Sequence, residues 1–121
     1  MDTTNDRMKS SLDNLGISQL NEMQQSVLKH YEKNNHFILL SPTGSGKTLA
    51  FLLPLINSLN ADITNKVQAL ILAPSRELAL QIETVFKSLK TGLKVNCCYG
   101  GHRMSIEKNN LLHNQEETRC L

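Results

Sequence analysis

Hydrophobic and polar positions along this chain follow two different periods, and the period changes at short loops. Apolar side chains recur at helical spacing in three segments, which are residues 20–31, 46–59 and 78–89. Short apolar runs predict β-strands at residues 37–40 and 67–73, and alternation of apolar with polar residues predicts a third, shorter strand at residues 93–97. Because the strands alternate with helices over short connections, we predict right-handed β-α-β crossovers and a parallel sheet flanked by helices.

Polar residues and prolines near the segment ends predict where several helices start and stop. Asn21 is a favourable N-cap and Gln24 follows three residues later, a spacing that predicts a capping box. Ser75 is a second predicted N-cap, and Pro54 predicts a bend or an early end within helix 46–59. Residues 1–14 are polar and are expected to form a flexible N-terminal segment, with a short helix near residues 8–15. Residues 104–113 are also expected to be helical.

The loop at residues 41–48, S-P-T-G-S-G-K-T, joins a predicted strand to the most apolar predicted helix. It fits the phosphate-binding pattern G-x-x-x-x-G-K-[ST], except that Ser41 stands at the first Gly. Gly44 and Gly46 lack a Cβ, so the backbone can curl and turn its N–H groups onto a phosphate. Lys47 can reach the β and γ phosphates, and the Thr48 hydroxyl can join a Mg²⁺ shell. The alternative is a glycine-rich turn with a surface lysine, but the strand before and the helix after favour the phosphate loop.

Composition narrows the class of protein only moderately. The 121 residues suffice for one domain, and 40% hydrophobic residues is typical of globular proteins. A net charge of +2 permits nucleic-acid binding without arguing for it. Because no apolar run approaches membrane-spanning length and the N-terminus has no apolar signal core, we expect a cytoplasmic protein that makes no membrane contact. Cys97, Cys98 and Cys120 lack metal-ligand spacing, and we expect reduced thiols.

Four segments give the chain a resemblance to a known family. Residues 15–17, followed by Gln24, resemble a Q motif, and residues 41–48 resemble motif I. Residues 74–79, P-S-R-E-L-A, resemble motif Ia, and Gly100 with Gly101 resembles the family's glycine doublet. In this order and at this spacing, the sequence resembles the first RecA-like domain of a DEAD-box ATP-dependent RNA helicase, over about residues 15–112. The resemblance implies a P-loop RecA-like α/β domain, incomplete here, within residues 15–121.

The resemblance also implies cofactors, partners and residue roles. ATP and Mg²⁺ would be the cofactors, and RNA would be held through phosphate and sugar contacts. Gln24 would pair with adenine edges, with a backbone contact near Gln19, since a side-chain amide can pair bidentately with adenine. Lys47 and Thr48 would be the catalytic residues, and Thr48 would also hold the metal. The other nucleotide contacts would come from Pro42, Thr43, Gly44, Ser45 and Gly46. The RNA contacts would come from Pro74, Ser75, Arg76, Gly100 and Gly101.

Plainer roles remain open for three of these positions. Gln24 has a purely capping role as its alternative. Arg76 has a solvated surface role as its alternative, although a cation in a first helical turn opposes the helix dipole. For Gly100 and Gly101, the alternative is that they only form a simple turn.

Several positions depart from the family's pattern. Ser41 replaces a smaller Ala or Gly, and Ile17, Leu20 and Asn21 replace an aromatic residue, a Pro and a Thr. The aromatic residue that stacks on adenine upstream of the Q motif has no counterpart. No strand ends in Asp-Glu and no Asp follows Asp62, so motif II is missing. We therefore expect an N-terminal piece of a longer helicase that binds ATP–Mg²⁺ weakly, hydrolyses it little and unwinds nothing by itself.

Three functional interpretations follow from these features. The first is the ATP-binding part of an RNA helicase whose full-length parent couples ATP binding and hydrolysis to duplex unwinding, with a second RecA-like domain as its partner. The second is a free-standing, non-catalytic P-loop nucleotide-binding module. A DNA-directed helicase of the same superfamily is the third, and residues 74–79 fit it less well. In an incomplete domain the sheet keeps an open apolar edge, which predicts self-association.

Overall fold

A computed structural model describes residues 3–32, 35–63, 65–100 and 119–120 of the chain. Its elements in chain order are α1 (Thr3–Asn14), α2 (Glu22–His30), α3 (Lys47–Ser58), β1 (Val67–Ala69), α4 (Arg76–Ser88), β2 (Lys94–Val95) and β3 (Arg119–Cys120). The chain divides into two compact units, Met1–Ser58 and Leu59–Leu121. Among the described residues, none of the helices is long and apolar enough to cross a membrane.

Helix α3 forms the core of the first unit, and both α1 and α2 pack against it. Its buried apolar residues include Leu52, Leu53 and Ile56, each at most 1% exposed. The helix continues through Pro54 to Ser58, so the predicted early end is wrong. A proline inside a helix costs about 3 kcal/mol. Each fully buried aliphatic side chain contributes roughly 1.5–3 kcal/mol, so several of them outweigh that cost.

Helix α1 is longer than the short helix predicted near residues 8–15. Ser11 on this helix is 2% exposed, and the Met8 Sδ accepts a hydrogen bond from Asn57 Nδ2 of α3 at 3.7 Å. The end of the helix is closed by the Leu12 carbonyl, which accepts from the N–H groups of Leu15 and Ile17. A polar helix of this length is marginal alone in water, so packing against α3 supplies stabilisation that its own sequence lacks.

The segment at residues 37–40 is not the buried strand that the sequence predicts. It carries no strand pairing, and Ile38 and Leu40 are 87% and 89% exposed. Phe37 is partly covered because its ring meets the edge of Tyr31 at a centroid distance of 6.1 Å. A strand is buried only when other strands and helices lie beside it and over it, and in the described residues of this unit no strand does.

In the second unit, short parallel strands lie in the order β1-β3-β2. Val67 and Lys94 both pair with Arg119, and Val95 pairs with Cys120. Because β1 and β2 contain only three and two residues, they are shorter than the predicted strands 67–73 and 93–97, and the complete RecA-like sheet stays a prediction.

Helix α4 confirms the amphipathic stripe predicted for residues 78–89. Ile82, Phe86 and the C-cap residue Leu89 are buried, and the helix contacts β2. The helix predicted at residues 104–113 lies outside the described residues.

Candidate functional site

The loop of residues 41–46 turns the extended segment 37–40 into helix α3. Gly44 and Gly46 adopt φ angles of 80° and 88°, in the left-handed region. A residue with a Cβ would lose about 1–2 kcal/mol in that conformation, so the backbone requirement inferred for the two glycines is confirmed. The turn is closed by the Ser45 N–H, which donates to the Pro42 carbonyl at 3.3 Å.

Helix α3 starts without a capping side chain of its own. The Gly46 carbonyl accepts the first intrahelical hydrogen bond, from the Ala50 N–H at 3.1 Å, and Gly46 has no side chain to cap the amides that follow. The first N–H groups of a helix have no intrahelical partner. Together with the positive end of the helix dipole, they form the kind of surface that binds a phosphate.

Lys47 is held within the loop by a backbone contact. Its Nζ donates to the Ser41 carbonyl oxygen at 2.7 Å. The Ser45 hydroxyl donates to the Pro42 carbonyl at 2.6 Å, and therefore the Ser41 hydroxyl is the donor in its hydrogen bond to the Ser45 hydroxyl. Ser41, the position that departs from the family's pattern, thus contacts Ser45 and Lys47 near the other end of the loop.

The predicted capping box at the start of α2 is confirmed. The Asn21 Oδ1 accepts from the Gln24 N–H at 2.9 Å, and the Gln24 Oε1 accepts from the Asn21 N–H at 3.0 Å. The same two side chains also reach the phosphate loop. Gln24 Nε2 donates to the Gly46 carbonyl at 3.2 Å, and Asn21 Nδ2 donates to the Ser45 carbonyl at 3.0 Å. The start of α2 is therefore fastened to the start of α3.

The Gln24 amide keeps hydrogen-bonding capacity beyond these contacts. An amide oxygen accepts two hydrogen bonds and an amide nitrogen donates two, and Gln24 uses one of each here. One acceptor site and one donor remain, which is the pair that bidentate recognition of adenine requires. Capping and base recognition are therefore compatible roles, although the side chain is only 7% exposed. Gln19, the other predicted adenine contact, is exposed.

Thr48 is the predicted metal ligand, and it lies half-buried in the first turn of α3. The described part of the chain contains no group of three or more His, Cys, Asp or Glu residues that could hold a metal ion. Mg²⁺ prefers six oxygen ligands and keeps several waters. The Thr48 hydroxyl is an oxygen donor of the kind that Mg²⁺ accepts, and its role as a metal ligand stays a prediction.

Three of the predicted RNA-binding residues, Pro74, Ser75 and Arg76, lie at the start of α4 in the second unit. Ser75 is the N-cap, and its hydroxyl accepts from the Leu78 N–H at 3.2 Å, as predicted. Arg76 is the first helical residue and is exposed, and its guanidinium carbon lies 4.6 Å from the centroid of the Tyr99 ring. The structure therefore brings Arg76 to the residue that precedes Gly100. Pro74 is exposed, and Gly101 lies outside the described residues.

Sequence reasoning missed several contacts at these positions, and three of them are instructive. The Asn21 amide contact with Ser45 had a signal, because an Asn side chain has an N–H₂ group that can donate while its oxygen caps the helix. The Ser41–Ser45 hydrogen bond had one too, since both hydroxyls lie in a tight loop. For Tyr99 the only signal was an aromatic side chain next to the glycine doublet.

Comparison with known proteins decides the family. The family model described as DEAD/DEAH box helicase matches residues 21–121. The chain belongs to this family. It is 35% identical over 100 residues to the ATP-dependent RNA helicase DeaD of Klebsiella pneumoniae, covering 80% of this chain and 15% of that protein. It is 34% identical over 116 residues to the DEAD-box ATP-dependent RNA helicase 1 of Arabidopsis thaliana, covering 89% of this chain and 22% of that protein.

Membership of the DEAD/DEAH box helicase family confirms the resemblance drawn from the four motifs. It also gives the chain a RecA-like α/β fold. The DEAD-box ATP-dependent RNA helicase CshC of Bacillus cereus is 33% identical over 89 residues, or 74% of this chain and 23% of that protein. The chain thus spans less than a quarter of the length of these three relatives.

Proposed function

We propose that this chain is the ATP-binding and RNA-contacting part of an ATP-dependent RNA helicase. The observation that carries the proposal is the Gln24 side chain, which joins the Q-motif helix to the phosphate loop through Gly46. A lone phosphate loop serves many kinds of nucleotide-binding protein. A buried glutamine fastened to that loop, with spare capacity for a base, adds a feature that favours adenine.

Each loop residue has a defined task in this proposal. The helix-start amides after Gly46 bind phosphate oxygens, together with the backbone of residues 42–46. Lys47 exchanges the Ser41 carbonyl for a phosphate oxygen, a charge-assisted contact that is stronger than its present one. Thr48 holds Mg²⁺, which neutralises charge developing on the phosphates when bound.

RNA contacts in this proposal come from the start of α4. Arg76 neutralises one phosphate, and the backbone of the exposed residues Pro74, Ser75 and Gly100 lies against sugar and phosphate, together with that of Gly101. Such contacts carry no sequence information, so the chain binds strands without base preference. In this proposal, unwinding needs the second RecA-like domain. The phosphate loop and Gln24 position a nucleotide, but they supply no carboxylate to orient the attacking water.

The test is a titration of a fluorescent ATP analogue with Mg²⁺, competed separately by ATP and by GTP. Lys47→Ala is expected to weaken binding by roughly tenfold or more, because it removes a charge-assisted hydrogen bond. Gln24→Ala is expected to equalise competition by ATP and GTP. Lys29→Ala is the matched control, since Lys29 is an exposed lysine on α2 of the same unit. Nucleotide binding that survives Lys47→Ala unchanged would contradict the proposal.

A further inference from the structure

Arg76 and Tyr99 form the one cation–π pair found within the described residues. The guanidinium carbon lies 4.6 Å from the ring centroid, well inside the range of about 6 Å for such pairs. Both residues belong to the unit Leu59–Leu121. The pair joins the first turn of α4 to the chain that leads into Gly100.

The contact with Tyr99 limits how Arg76 can bind. The Arg76 guanidinium lies over the Tyr99 ring. A guanidinium that stacks on an aromatic face keeps its five N–H donors in its own plane, where they can reach another ligand. No salt bridge joins Arg76 to another residue in the described part of the chain. The donors of Arg76 are therefore not committed to a carboxylate.

The surroundings of Gly100 leave room for an RNA strand next to the Arg76–Tyr99 pair. A Cβ built on Gly100 would meet no atom of the described residues within 4 Å, so none of them fills the space beside this backbone. An RNA strand that runs past Gly100 would lie beside the Tyr99 ring, which contacts Arg76.

We propose that Tyr99 is a positioning residue for RNA binding, which holds the Arg76 guanidinium flat so that its N–H edge meets a phosphate of single-stranded RNA. The proposal rests on the RNA contact assigned to Arg76 above. An exposed arginine without the ring would sample many rotamers and lose affinity in fixing one of them. Tyr99 therefore acts through Arg76 and adds no base preference.

The experiment measures binding of a labelled oligouridine to the 121-residue chain by fluorescence anisotropy at several salt concentrations. Arg76→Ala is expected to weaken binding by roughly tenfold. It also lowers the slope of log affinity against log salt by about 0.7, the value for one lost phosphate contact on a single strand. Tyr99→Leu is expected to weaken binding by about two- to fivefold, whereas Tyr99→Phe, which keeps the aromatic face, retains parental affinity.

Two further measurements separate positioning from a structural role. In the free protein, the Arg76 side-chain protons are expected to show ring-current shifts that persist in Tyr99→Phe and vanish in Tyr99→Leu. In the Arg76→Ala background, Tyr99→Leu is expected to cause no further loss of RNA affinity, since its effect passes through the arginine.

The outcomes distinguish the two proposals. If Arg76→Ala leaves RNA binding and its salt slope unchanged, the assigned RNA contact is wrong and the inference about Tyr99 falls with it. If Arg76→Ala weakens binding but Tyr99→Leu does not, only the inference is overturned. An equal loss from Tyr99→Leu with and without Arg76 also overturns it, because Tyr99 then acts independently. Lys66→Ala, which removes an exposed charge in the same unit, is the control for non-specific electrostatics.

Discussion

The side-chain nitrogen of Gln24 donates to the backbone carbonyl of Gly46 across 3.2 Å, while its side-chain oxygen accepts from the Asn21 N–H. One amide therefore caps helix α2 and braces the loop that starts helix α3. A shift of the loop is coupled to the cap, because both contacts use the same buried group.

Gln24→Ala is expected to lower the free energy of unfolding by about 1–2 kcal/mol, because two hydrogen bonds from a largely buried side chain are lost. Gln25→Ala is the matched control. Gln25 lies on the same helix but is exposed, and its amide donates only to the Leu20 carbonyl. Urea denaturation of the two variants measures the difference, and equal losses would show that Gln24 braces nothing.

Alanine substitutions at the two loop glycines are expected to differ. Both force a Cβ into the left-handed region, which costs about 1–2 kcal/mol. At Gly44 the new Cβ meets nothing within 4 Å, whereas at Gly46 it would lie 2.5 Å from Gln24 Nε2. Gly46→Ala must therefore also displace the Gln24 side chain, and it should destabilise the protein by about 1–2 kcal/mol more than Gly44→Ala.

A double-mutant comparison checks the cause of that difference. In a Gln24→Ala background, the side chain that obstructs Gly46 is already gone, so Gly46→Ala and Gly44→Ala should have similar costs. An undiminished penalty at Gly46 would mean that backbone strain alone sets it.

Ser41→Ala is expected to tighten binding of ATP–Mg²⁺ by up to about fivefold. The Ser41 hydroxyl donates to the Ser45 hydroxyl and so holds the loop in its present arrangement. A neutral hydrogen bond of this kind contributes about 1 kcal/mol, and the variant loop, which lacks it, adapts to the phosphates at less cost. Lys47 contacts the backbone carbonyl of Ser41, so the substitution leaves that contact in place. The fluorescent-nucleotide titration measures the change, and weaker binding by the variant would instead assign the hydroxyl to the nucleotide.

Self-association through the exposed apolar residues after β1 remains a prediction. Leu70 and Leu72 are 64% and 84% exposed and continue a short strand, an arrangement that favours pairing with another chain. Leu72→Lys is expected to shift the sedimentation profile towards the monomer at a fixed protein concentration. Leu80→Lys on α4 is the control, since Leu80 is 36% exposed and lies away from the strand. A parent chain that already sediments as a monomer would refute self-association.

Local signals predicted helices α2 and α4 well, since the determinants of these helices lie within a few residues. The caps at Asn21 and Ser75 each depend on contacts only three residues apart, and the sequence shows both partners together. The apolar stripe of α4 is likewise visible in a single stretch of sequence.

Strands and tertiary contacts were less predictable because their partners are distant in the sequence. The apolar run at 37–40 has the composition of a buried strand, but pairing depends on neighbours that the run itself does not contain. The contact between Arg76 and Tyr99 was not predictable for the same reason, because no periodic pattern in the sequence links the two residues. The same limit applies to Pro54, where the burial of residues around it decided that the helix would continue.

The contacts that fasten Gln24 and Asn21 to the loop span only 22 and 24 residues of sequence. The entropic cost of closing a loop rises with its length, and proteins rich in short-range contacts fold quickly. Residues 21–58 contain the whole phosphate loop, helix α2 that braces it and helix α3 that follows it, so all of these contacts form within one short segment. During synthesis, this part of the nucleotide site is able to assemble before helix α4 has left the ribosome.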